Sequence, residues 1–232
     1  MFLLVLVVGA SAIADVRGGS SGARVSASVG KSRTTAVRAE VSHRVRRAHA
    51  HQAGPSPGSL PQTHAYPSGS SAQFKSLMAS LWAGISTGSV APALRAFFPR
   101  GAYAQLKAIP SASSDWTNRL VHDYGLDIAV AHKLLGRDAA NAQLVKVNVQ
   151  SRYGHWVPPG VCYNSIGYYE MPNARVVYRE AGHTRSFGIA SMISWRGVWY
   201  VVHLGAILRS TDSGRVDEPA SGAGVSVYSG TC

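Results

Sequence analysis

Apolar positions divide this chain into a helical part followed by a stranded part. Phe74, Leu77, Met78, Leu81, Trp82 and Ile85 fall at i, i+3, i+4, i+7, i+8 and i+11, one stripe of an amphipathic helix. The pattern predicts that order begins near Gln73 and that Gly88 ends the helix. Ser89 is placed to cap a second short helix with Pro92 in its first turn, turning Leu94, Phe97 and Phe98 inward before Pro99 stops it. "RGAYAQLKAI" repeats the pattern with Tyr103 and Leu106. Ser114 is the expected cap of "DWTNRLVHDY", where Trp116 and Leu120 share a face and Asp115 suits the helix dipole. Gly125 is expected to break that helix. "GLDIAVAHKLLG" then fits either a strand (Leu126, Ile128, Val130, Leu134, with His132) or a helix (Ile128, Ala131, Leu134, Leu135).

From Gln143 the period becomes two. Val145, Val147 and Val149 share one face of a strand, and Lys146, Asn148 and Gln150 the other. "HWVPPGVCYN" reads as a loop stiffened by Pro158 and Pro159, "ARVVYRE" as a strand and "AGHT" as a turn. Arg196-Gly197 between two β-rich runs predicts a tight hairpin pairing Trp195 with Val198. Counting from that turn puts Phe187, Ile189, Ser191, Ile193 and Trp195 on one face with Val198, Tyr200, Val202 and Leu204. Met192, Ser194, Trp199, Val201 and His203 fall on the other. A bulge would swap part of this assignment.

The remaining chain has a different texture. "MFLLVLVVGASAIA", residues 1–14, has an apolar run and then small-x-small positions, as in a signal peptide or short anchor, although no Lys or Arg precedes the run. It is short against the roughly 20 apolar residues of a spanning helix, so no full transmembrane span is expected. Export to the cell envelope or beyond is the expected fate. Residues 15–72 read as a disordered basic linker rich in Ser, Gly, Ala and Pro. Residues 73–209 read as the folded domain, and 210–232 as a tail. The formal net charge of +12 points to anionic partners. Arg38, Arg44, Arg46 and Arg47 in the linker are the candidates for touching envelope polymer or lipid. His49 and His51 are a weak metal signal by spacing alone. The two cysteines, Cys162 and Cys232, most simply form one disulfide in an exported chain. The alternative is a Cys162 nucleophile.

Helices followed by a hairpin-rich antiparallel sheet indicate an α+β fold. With its closing "WRGVWYVVHLGA", this order resembles the nuclear transport factor 2-like superfamily. Its members include polyketide cyclases, ketosteroid isomerases and many accessory domains. More narrowly, "DWTNRL", "WVPPGVCYN" and "RSFGIASMISWRGVWYVVHLG" resemble uncharacterised exported proteins of high-GC Gram-positive bacteria over residues 73–232. The resemblance implies several N-terminal helices on a curved, mostly antiparallel sheet, in a cone that can hold a pocket. It implies no particular chemistry.

Sequence motifs for catalysis are absent. There is no His-Glu-x-x-His, no Gly-x-Ser-x-Gly and no phosphate-cradling Gly-Lys-Ser/Thr loop. No metal site, cofactor or catalytic residue is predicted. Glu170 and Glu180 count only among the few acidic residues of the folded part. Asp123, Asp127, His132 and His203 are the available acids and bases, and no spacing makes them a dyad. Tyr103, Trp116, Trp199 and His203 are the candidate pocket residues. Nucleic acid is disfavoured, because no helix gathers basic residues on one face. The expected function is therefore a non-catalytic binding or accessory domain at the envelope. The alternatives are a small-molecule enzyme of the cyclase or isomerase type and a purely structural protein.

Overall fold

Ser71 opens the first helix. Its side chain accepts the Phe74 amide at 3.1 Å, which satisfies one of the donors a helix start leaves orphaned. In the computed structural model, which describes residues 55–226, helix α1 (Ala72–Thr87) buries Phe74, Leu77, Met78, Leu81 and Ile85, and Gly88 closes it at φ 67°. Short helices α2 (Val90–Ala93) and α3 (Arg100–Leu106) follow. Between them, Phe98 donates its amide to the Val201 carbonyl and Val201 donates to Ala96, both at 2.9 Å. These bonds fix the helical layer to the sheet.

The next helical stretch has no break at Gly125. Helix α4 (Ala112–Asp115) runs through a π-helical turn (Trp116–Leu120) into helix α5 (Val121–Leu135). Ser114 is a residue of α4 rather than a cap. Gly125 lies inside α5, where burial of Tyr124, Ile128 and Ala131 outweighs its weak propensity. Of the two readings of 125–136, the helix is the one formed.

The sheet comprises β1 (Gln143–Asn148), β2 (His155–Val157), β3 (Tyr168–Glu180), β4 (His183–Trp195), β5 (Val198–His203) and β6 (Asp217–Ser221). Its path is β1-β3-β4-β5, with β2 on β3 and β6 on β4, and every pair is antiparallel. The described part is thus α+β, helices packed on an antiparallel sheet. None of its helices is long and apolar enough to cross a membrane.

Both long hairpins turn on residues at positive φ, Ala181-Gly182 (46°, 78°) and Arg196-Gly197 (51°, 75°). That backbone matches the twist of the flanking strands. Trp195 pairs with Val198, as predicted. Strand β3 is nearly twice the length of "ARVVYRE". Pro172 disguises its first half, yet it is accommodated opposite Ser191. In β1 a register shift sets Val145 aside, so it is 54% exposed while Leu144 and Val147 pack inward. The single apolar face expected of Val145, Val147 and Val149 is broken there.

Folded structure also starts earlier than Gln73. In the span read as the end of the linker, Gln62 donates to the Ser194 carbonyl at 2.8 Å and His64 stacks on Trp156. Tyr66 donates to the Ser151 carbonyl at 3.0 Å and sets its ring edge-on to Tyr169 and Trp199. The 1–14 leader, linker residues 15–54 with Arg38, Arg44, Arg46, Arg47, His49 and His51, and Cys232 lie outside the described residues.

Candidate functional site

Register decides which side chains meet above the sheet. Along β4 and β5 the pairing keeps step from Trp195–Val198 to Met192–Val201, then slips so that Ser191 faces His203. Val202 is the extra residue of a bulge. The slip carries His203 from the face of Trp199 to the face of Ile193 and Tyr200. The sequence count placed it on the opposite side. Tyr168 and Glu170 of β3 lie on that same face, Glu170 opposite Ile193.

A cavity of about 260 Å³ lies between this face and the helices. Its sheet side carries Tyr168, Glu170, Ser191, Ile193 and His203. Its helical side carries Tyr103 of α3, Lys107 just beyond it, and Arg119 and Leu120 of the π turn. A π turn widens the helix locally, and such turns are frequent at functional sites. The loop holding Cys162 and Tyr163 forms a third wall. It is pinned by Ala108 donating to the Tyr163 carbonyl and Ser165 to the Leu106 carbonyl, each at 2.8 Å. Ile207 and the 85% exposed Leu208 stand at the mouth.

The polar groups are held in distinct states. Glu170 is buried, and its Oε1 accepts the Ser191 hydroxyl at 2.9 Å. Its Oε2 lies 3.7 Å from His155 Nε2 and has no hydrogen-bond partner among the described residues. Burial pushes this carboxyl above its ordinary value, against the pull of Ser191, His155 and Lys107. His203 keeps part of its surface open, and its ring makes no hydrogen bond among the described residues. Burial first, then the field of Arg119, Lys107 and Arg209, pushes its imidazolium down to about 4. The neutral ring offers one donor and one acceptor. Lys107 donates to the Cys162 carbonyl at 2.9 Å, and burial lowers its ammonium. Arg119 is clamped on Asp115 at 2.7 and 2.8 Å and donates to the Tyr103 hydroxyl at 3.2 Å. Tyr103 in turn donates to Asp115 at 2.6 Å. Burial, then Asp115, raises the Tyr103 hydroxyl.

Of the four residues expected at a pocket, the structure brings Tyr103 and His203 together and sets two apart. Trp116 donates to the Phe98 carbonyl at 2.7 Å and packs on Phe97. Trp199 is wholly buried on the opposite face, against Tyr66. The proposed acids are structural as well. Asp127 accepts the Gly205 and Arg215 amides, both at 2.8 Å, and Arg209. Asp123 lies 3.5 Å from Arg209 and 3.7 Å from Arg119. His132 bonds the Ile85 carbonyl at 2.9 Å. Cys162 lines the cavity, and no cysteine among the described residues is free.

Sequence reasoning missed Lys107, Arg119, Glu170 and Ser191. The available signal was the alternation Tyr168, Glu170, Pro172, which puts one carboxyl on an otherwise apolar face once 168–173 is read as strand. A second cavity, about 300 Å³ between α1 and β1, is lined by Phe74, Met78, Leu144 and Val147 with Lys75 and Lys146. It lacks acids and histidines. Among the described residues no cluster of three His, Cys, Asp or Glu can hold a metal. Comparison with family models, curated proteins and solved structures gave no match to this chain.

Proposed function

We propose that this protein is a non-catalytic binding or accessory domain at the cell envelope, and that its business end is the cavity between helices and sheet. One observation carries the reading: apolar walls and convergent polar side chains meet around open space, where a merely structural core would close. Pockets that bind small molecules have this make-up, and this one is at their small end. The fold is read as the cone of the nuclear transport factor 2-like superfamily, on the order of helices and strands. The signal-like start supports export. The basic linker, with Arg38, Arg44, Arg46 and Arg47, serves as a tether towards anionic polymer or lipid. A Cys162–Cys232 disulfide ties the tail to the cavity wall, closing a loop of about 70 residues worth roughly 4 kcal/mol. Alkylation of the denatured protein that adds mass to Cys162 and Cys232 only after reduction supports the disulfide; both cysteines alkylated without reduction contradict it.

The cavity reading is tested by isoleucine-methyl NMR of the full chain during titration with octanoate and, separately, octanamide. Shifts at Ile193 with either probe support it, and silence with both contradicts it. A second reading, an enzyme of the cyclase or isomerase type, is favoured by Glu170 and the neutral His203 lining one cavity, an acid and a base in reach of a ligand. It requires that the protein accelerate deuterium exchange next to the carbonyl of a small cyclic ketone. Exchange no faster than buffer, or no slower in Glu170→Gln, removes it.

A further inference from the structure

The cavity is electrically lopsided. Lys107, Arg119 and Arg209 all act on His203 in the direction that disfavours a second positive charge. Arg119 is neutralised by its two bonds to Asp115, and Arg209 by Asp127. Lys107 is different. An ammonium has three donors, and the only hydrogen bond the Lys107 ammonium makes among the described residues is to the neutral Cys162 carbonyl. No carboxylate lies within ion-pair distance of it there. The one acid in the same cavity, Glu170, is desolvated and already receives the Ser191 hydroxyl. Among the described residues, then, Lys107 is a partly buried cation with donors to spare. Between its polar groups the cavity is lined by hydrocarbon from Leu120, Ile193, Val202, Ile207 and Leu208.

Resting on the cavity reading above, we infer that the ligand is a small amphipathic carboxylate. Its head group takes the unused donors of Lys107, and its hydrocarbon body lies along Leu120, Ile193 and Val202. The neutral His203 ring supplies a further donor beside it. A neutral amide of the same shape fills the same space but meets the ammonium with an uncharged oxygen, forgoing the ion pair in which both partners are charged. An amine of the same length brings a second cation to Lys107.

Isothermal titration of the full chain at neutral pH with octanoate, octanamide and octylamine tests this directly. The expected order is octanoate first by about tenfold or more over octanamide, with octylamine weakest. Lys107→Met reduces octanoate affinity by about tenfold and octanamide affinity by much less, whereas Lys107→Arg retains the preference. Octanamide or octylamine binding as tightly as octanoate overturns the inference and leaves the cavity reading standing. No binding of any of the three removes both. The native-chain comparison decides the matter even if Lys107→Met does not fold.

Discussion

His203 makes the chemistry of single residues measurable through stability. Its ring titrates at about 4 in the folded protein against 6.5 ordinarily, chiefly because it is buried and secondarily because Arg119, Lys107 and Arg209 are near. As pH falls through 6.5 the unfolded chain gains a proton that the folded chain refuses until about 4. The stability tied to the neutral ring is therefore whole above pH 6.5 and lost as pH falls from there towards 4. The full loss is about 3 kcal/mol, reduced by whatever solvent the cavity admits. Asp217, pushed up to about 6 mainly by burial, acts with the opposite sign. It takes up a proton in the folded state first, so stability falls as pH rises from about 4 to about 6. The two partly cancel in the native chain, and the difference between native and His203→Gln isolates the ring. Urea denaturation at pH 7 and at pH 4.5 is expected to show the native protein losing more than the variant, by about 1–3 kcal/mol. Equal losses contradict the placement of His203.

Elements follow the sequence where one force dominates. The α1 stripe, the Gly88 stop and the Arg196-Gly197 hairpin were all legible, because burial, helix termination and turn chemistry agree at each. What could not be read is where the regular period is broken. The Val202 bulge reverses the faces of β5 after Val201, the Val145 slip exposes a valine, and the π turn carries Arg119 and Leu120 to the cavity. Each break is a contest between local pattern and distant packing, which a single stretch of sequence does not record. Tyr103 and His203 were reachable as candidates, whereas Glu170 was hidden in a strand disguised by Pro172. The segment around Tyr66 was obscured in another way. Its composition is that of a linker, but Tyr66 and Gln62 lay it over the face that holds Trp199. Tyr66→Ala is expected to cost about 1–2 kcal/mol in denaturant unfolding, from the lost hydrogen bond and ring contacts. It also reddens tryptophan emission. An unchanged midpoint and spectrum contradict the account of this segment as part of the fold.

At the scale of the molecule, one side of the sheet is closed and the other is open. Trp199, Met171 and Met192 are buried on the first side, covered in part by the segment around Tyr66. On the second, helices and sheet stand far enough apart to leave about 260 Å³ above Glu170 and Ser191. The central claim is that this space is occupied in use. Methyl and indole NMR of the full chain through a titration with octanoate and with octanamide tests it most directly, since the two sides carry separate reporters. The account predicts saturable shifts of the Ile193 methyls, with Ile109 and Ile207 following and the Trp199 indole unmoved. A response at Trp199, or at Leu144 and Val147 beside the second cavity, with Ile193 silent throughout, contradicts it.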